Sequence, residues 1–229
     1  MIDELMRLNM PPVEDVQKKR DTISIVEKEP LEEIRECSNI YVRPIYDTLI
    51  KVARNRMILA RRGVVERLHI AAMSLPKGFS LVVYDGWRSV DLQRAVYELI
   101  AARAKGRDEA ETYAYNIDGP CGDVQYPVTD PPHCTGGSVD VGILGPDGNP
   151  WPMGTELDSV SRLSATVTLE RLGEHADQRA LLGRRLLFNT MLSAGFTNYP
   201  AEWWHYDFGN AFWRHYGKLP PGPVYRSII

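Results

Sequence analysis

The stretch PPHCTGGSVDVGI, residues 131–143, constrains this chain more than any other. Val139, Val141 and Ile143 recur with period two and share one face of a strand, while Ser138, Asp140 and Gly142 share the other. A carboxylate in the middle of an apolar strand is costly to bury unless it is paired or holds a cation. Gly136-Gly137 permits a sharp turn just before the strand, which can bring His133 back to the side of Asp140. Histidine and aspartate on one side of a strand make half of a zinc site. The same spacing also fits an aspartate bonded to a neighbouring loop beside an exposed histidine.

A second segment, AEWWHYDF at 201–208, carries another histidine and a nearby acid. On a strand, Trp203, His205 and Asp207 face one way and Trp204, Tyr206 and Phe208 the other. Glu202 can reach the side of His205 only from a bend before the strand, which Pro200 favours. Alternatively, His205 is a core histidine among aromatics and Glu202 a surface acid. Taken together, the two segments offer His133, Asp140 and His205, three N/O ligands of the type a catalytic zinc site uses while keeping a position open for water. Glu202 is then placed to take a proton from such a water.

The third segment is VVYDGWRS, residues 82–89. Arg88, just after a strand and an Asp-Gly turn, can present a fixed guanidinium fork to an oxyanion or a carboxylate. Asp85 can orient it, or the two can form a surface pair of little weight. His69, His175 and His215 read as solvated or structural. No Walker loop, GxGxxG or GxSxG is present, so phosphate, dinucleotide and serine-hydrolase chemistry have no support.

The wider chain sets the frame for these segments. With 229 residues, one domain is the first expectation. Lys+Arg 27 against Asp+Glu 30 leaves no basic excess for nucleic acid. No run of 18 apolar residues points to a membrane span. The charged start, MIDELMRLNM, lacks the apolar core of a signal peptide, so the expected location is cytoplasmic. Cys37, Cys121 and Cys134 are odd in number and form no CxxC pair, which fits reduced thiols.

Residues 1–40 read as an N-terminal arm packed on a domain over 41–229, with a short strand at 22–26. Helical spacing starts at Ile45 through Leu49, Ile50, Ala53 and Met57. After a possible divide at Gly63 it resumes through Val64, Leu68 and Ala72, ending at Pro76-Lys77-Gly78. Strands are expected at 79–84, 138–144 and 203–208, helices at 91–105 and 177–194, a long loop at 117–137 and an irregular tail. Strands and helices do not alternate regularly, so the fold class is α+β with a small antiparallel sheet flanked by helices.

In order along the chain, YDGWR (84–88), HCTGGSVD (133–140), PMGTELD (152–158) and EWWHY (202–206) resemble the VanX-type zinc D-alanyl-D-alanine dipeptidases. That group is related to D,D-carboxypeptidases that share a fold with the hedgehog signalling domain. The resemblance implies one zinc ion on His133, Asp140 and His205, with Glu202 as general base. It implies that Arg88 stabilises the tetrahedral intermediate and that Asp158 binds the free amino group of a small dipeptide. D-Ala-D-Ala or a related D,D-dipeptide is the substrate it points to. Two alternatives stand beside it: a D,D-carboxypeptidase acting on peptidoglycan stem peptides, and a zinc-binding module without catalysis. Pro131-Pro132 lies where such proteins often carry serine, and Cys134 where a polar residue is more usual, which bears on dipeptide preference.

Overall fold

A computed structural model describes residues 25–46, 57–104, 130–222 and 224–228. The strands are β1 (Leu31–Glu33), β2 (Ile40–Val42), β3 (Leu59–Arg61), β4 (Ser80–Asp85), β5 (Ser138–Leu144), β6 (Thr197–Asn198) and β7 (His205–Asp207). The helices are α1 (Arg62–Ser74), α2 (Val90–Ala104), α3 (Thr168–Leu172), α4 (Gln178–Ser193) and α5 (Ala211–Tyr216). A five-stranded sheet runs in the order β2-β4-β5-β7-β6, and β1 pairs with β3 in a separate ribbon. The architecture is α+β, as the irregular order of elements implies. Its pairs are antiparallel except β2 with β4. Between those two strands the chain passes through β3 and α1, the kind of crossover a parallel pair requires.

β5 lies at the centre of the sheet and is buried along its whole length. Val139, Val141 and Ile143 enter the main core, which also holds Leu68, Leu187, Phe196 and Tyr206. This is the period-two face read from the sequence. α1 buries Val64, Leu68, Ala71 and Ala72 and stops where Leu75, extended ahead of Pro76, cannot continue the helix. Gly63 does not divide a helix; it lies in the first turn of α1, where a Cβ would come within 2.9 Å of the Tyr225 hydroxyl. α4 is capped by Asp177, whose side chain accepts from the amides of Arg179 and Ala180. It ends ahead of Gly195, which takes the left-handed conformation.

Several expected boundaries shift. Residues 22–24 lie outside the described residues, and Ile25 and Val26 are not in a strand. The helix expected around Leu49–Ala53 also lies outside them, whereas Met57 precedes β3. The strand expected at 203–208 narrows to β7 because residues 200–204 are spent on a turn. Trp203 therefore packs in the core with Trp204 and Tyr206, rather than lining the His205 side. Of the long loop, 117–129 is outside the described residues, and Pro132–Thr135 forms a 3-10 turn. Among the described residues no helix is long and apolar enough to cross a membrane.

Two supports hold the loops around the sheet. Arg184 of α4 is buried, pairs with no carboxylate among the described residues, and donates to the carbonyls of Met153, Leu163 and Ala165 at 2.6–2.8 Å. Burial lowers its pKa to about 10. Arg184→Met leaves three carbonyls without their donors and should lower unfolding free energy by at least ~2 kcal/mol in urea titrations. The C-terminal segment folds back on the turn carrying His133. There the Ser227 amide donates to Asp130 Oδ1 at 2.7 Å, and the Ile228 amide to the Cys134 carbonyl at 3.0 Å.

Candidate metal centre

Strand register builds the floor of the site. Asp140 in β5 pairs with His205 of β7 on one side and with Asp85 of β4 on the other. Three chemistry-bearing residues thus stand in one row across three strands. His133 arrives from the 3-10 turn. Gly136, at φ 73°, then reverses the chain into β5. A Cβ at Gly136 would approach Leu31 Cδ2 to 2.6 Å, so the turn is restricted both by conformation and by space.

The donor atoms converge. His133 Nε2 lies 3.2 Å from His205 Nδ1 and 3.4 Å from Asp140 Oδ2, and His205 Nδ1 lies 3.1 Å from Asp140 Oδ1. One ligand atom from each of the three buried residues falls within 4.8 Å of the others. His133 Nδ1 is 2.7 Å from the Gly86 carbonyl, which can only accept, so the proton sits on Nδ1 and the Nε2 lone pair faces the cluster. Two imidazole nitrogens and a carboxylate oxygen suit a divalent transition metal and leave a position free for a further ligand. These residues fit a metal ion.

The carbonyl of Gly86 depends on a close approach. A Cβ there would lie 2.5 Å from the Leu59 carbonyl oxygen and 2.7 Å from Ile58 Cγ2. Gly86→Ala should lower stability by about 1–3 kcal/mol, read as a lower melting temperature of the metal-free protein.

Other groups surround the three donors. The Pro200–Trp204 turn is closed by the Glu202 amide on the Tyr199 carbonyl, and Asn198 Nδ2 donates to the Glu202 carbonyl at 2.9 Å. This bend puts Glu202 Oε2 3.9 Å from His205 Nδ1. Arg88 is buried, not a surface residue. It donates to Asp85 Oδ2 at 2.5 Å, Asp140 Oδ2 at 3.1 Å and Gln93 Oε1 at 3.2 Å. Its guanidinium carbon lies 4.9 Å from the centre of the Tyr46 ring. The Tyr46 hydroxyl donates to Asp158 Oδ2 at 2.7 Å. Asp158 holds φ at 53°, a left-handed conformation uncommon outside glycine and tolerated better by Asp and Asn than by most residues.

With this geometry in view, a family profile described as D-ala-D-ala dipeptidase, Peptidase_M15, matches residues 26–218. The chain belongs to the D-ala-D-ala dipeptidase family. It is 30% identical over 173 residues to a D-alanyl-D-alanine dipeptidase of Synechocystis sp., an alignment covering 67% of this chain and 70% of that protein.

Charge in this family member is arranged around the donor cluster. Burial works against ionising Asp140, but His133 and His205 outweigh it and hold its pKa well below the usual range. Burial likewise opposes charging His205, yet Asp207 and Asp140 keep its pKa well above that of a free histidine. Burial pushes the Glu202 carboxyl up to about 8, with Asp140 and Asp158 adding to the shift against His205 and Arg88. Burial, helped by Asp140, also raises Asp158. The site therefore combines an ionised aspartate at the donor cluster with two acids that resist ionisation.

Cys134, next to His133, is fully buried, and burial raises its thiol pKa to about 11. Cys37 is exposed. Maleimide at neutral pH should label Cys37 in the folded dipeptidase-family chain and reach Cys134 only after unfolding, as peptide mass spectrometry would show.

Tyr46, Gln93 and Ser138 were not singled out as site residues in the sequence. Tyr46 is 112 positions from Asp158, and no local spacing connects them. Ser138 shares the Asp140 face of β5, but its cross-strand partner Asp207 is 69 positions away and set by register.

Proposed function

We propose that this chain hydrolyses a small D,D-dipeptide, D-Ala-D-Ala or a close relative, with one zinc ion held by His133, Asp140 and His205. The observation that carries the reading is the convergence of two imidazole nitrogens and a carboxylate beside a half-buried acid, Glu202, and a clamped arginine, Arg88. Membership of the D-ala-D-ala dipeptidase family and the name of the Synechocystis relative support the substrate class. When bound, zinc supplies a Lewis acid that lowers the pKa of a coordinated water toward ~7 and polarises the scissile carbonyl.

The protein side chains do the rest. Glu202 accepts a proton from the attacking water and returns it to the departing amino group, so one water and one peptide yield two amino acids. The carboxylate is the form that accepts, and a cation held by the neighbouring donors would favour it against the upward push of burial. Arg88 offers positive charge to the carbonyl oxygen as it becomes negative. Asp85, Asp140 and Gln93 already hold its fork in place, so little reorganisation is needed during reaction. Asp158 receives the substrate ammonium. Tyr46 occupies one of its carboxylate oxygens and orients the other.

A carboxylate reserved for an ammonium favours a dipeptide over a stem peptide, because the corresponding nitrogen of a stem peptide is acylated and neutral. Turnover of D-Ala-D-Ala, its N-acetyl derivative, a stem pentapeptide and L-Ala-L-Ala, with and without zinc, tests this. The free D,D-dipeptide with zinc should be the best substrate. A preference for the pentapeptide would make the chain a carboxypeptidase, and a zinc-loaded protein inert to the whole panel would make it a binding module.

A further inference from the structure

Behind the three donors lies a second, fully buried acid. Asp207 shows 0% exposure, and its Oδ1 accepts from Ser138 Oγ at 2.6 Å and from Asn210 Nδ2 at 2.7 Å. The same oxygen lies 3.3 Å from His205 Nε2. Ser138 is its cross-strand partner in β5, while Asn210 also donates to Ser138 Oγ at 2.9 Å and caps α5 through the Trp213 amide. The acid is thus held from a strand on one side and a helix start on the other.

Ser138 and Asn210 are neutral and cannot balance a buried carboxylate. Among the described residues, the ion pair recorded for Asp207 is the one with His205. A neutral imidazole carries one N–H and one lone pair. A metal that takes the place of the Nδ1 proton would leave the N–H on Nε2, directed at Asp207, and would use the Nδ1 lone pair, on the atom that faces Asp140 and His133.

We propose that Asp207 is a positioning residue for the metal centre: by accepting from His205 Nε2 it selects the tautomer and ring orientation in which Nδ1 binds the metal. This rests on the reading of His133, Asp140 and His205 as ligands. An outer carboxylate of this kind fixes ring orientation and raises the basicity of the ligating nitrogen, and its loss typically weakens metal binding.

The test is the zinc dissociation constant, measured by chelator competition, for the wild type, Asp207→Asn and Ser138→Ala. Asp207→Asn keeps the shape and removes the charge, and zinc binding should weaken about 10–100-fold. Ser138→Ala removes a donor to Asp207 without touching the His205 contact, and binding should stay within about threefold of wild type. If Asp207 were only structural, Asp207→Asn would lower the melting temperature of the metal-free protein and leave zinc affinity within about threefold, which overturns the proposal. Nitrogen-15 NMR of the zinc-loaded wild type does not depend on any variant folding. Metal on Nδ1 and a proton on Nε2 of His205 support the proposal, and the reverse assignment overturns it. A wild type that binds no zinc would remove the ligand reading itself, and Asp207's role with it.

Discussion

Glu202→Gln should retain zinc and lose about 10²–10⁴ in turnover, the usual loss when a positioned general base is removed. The substitution keeps the size of the side chain and removes its ability to accept a proton. Glu202 lies 3.9 Å from His205 Nδ1 and outside the three-residue donor cluster, so the metal should stay. Its side chain is 18% exposed, which leaves it open to a water at the site. Metal content by mass spectrometry and kcat on a D,D-dipeptide read the two effects separately. His205→Ala is the contrast: it removes a donor and should cost both zinc and activity. Near-native turnover in Glu202→Gln would remove Glu202 from the mechanism.

The second large effect falls on Arg88. Arg88→Lys should lower kcat by about 10²–10³, equivalent to roughly 2.7–4 kcal/mol of lost barrier reduction, with a smaller change in KM. Lysine keeps one positive charge but not the planar fork that reaches Asp85, Gln93 and Asp140 together. Arg88→Ala is a poorer probe. It strips the cation from two buried aspartates, and an unpaired buried charge destabilises the fold itself. Melting temperature and zinc content measured alongside kcat distinguish a lost oxyanion partner from a loosened site. An Arg88→Lys enzyme within about tenfold of wild type in kcat would show that the fork does not act on the reacting oxygen.

Legibility in the sequence followed the range of each interaction. The alternation in β5 exposed both the core face and the isolated Asp140, because side chains two apart share a face. The C-terminal end of α1 and both ends of α4 were marked by Pro76, Asp177 and Gly195, local signals that act within a turn. The glycine turn between His133 and Asp140 was readable for the same reason. The status of the Arg88–Asp85 pair was not. Three-residue spacing fits a surface pair as well as a buried one, and only tertiary contacts with Asp140, Gln93 and Tyr46 put Arg88 out of water.

By itself, then, the sequence determined the α+β class, the β5 faces, the ends of α4, the C-terminal end of α1 and the residue types assembled at the site. Tertiary structure alone decided which of them meet. The β5–β7 register sets Asp140 beside His205 across 65 positions, and sets Ser138 beside Asp207. It also decided that Tyr46 reaches Asp158 across 112 positions and that β2 runs parallel to β4. The physical reason is that period and propensity dictate which way a side chain points from its own strand or helix. Which side chain it meets depends on the register at which distant strands pair, and that register is selected by burial of the whole core.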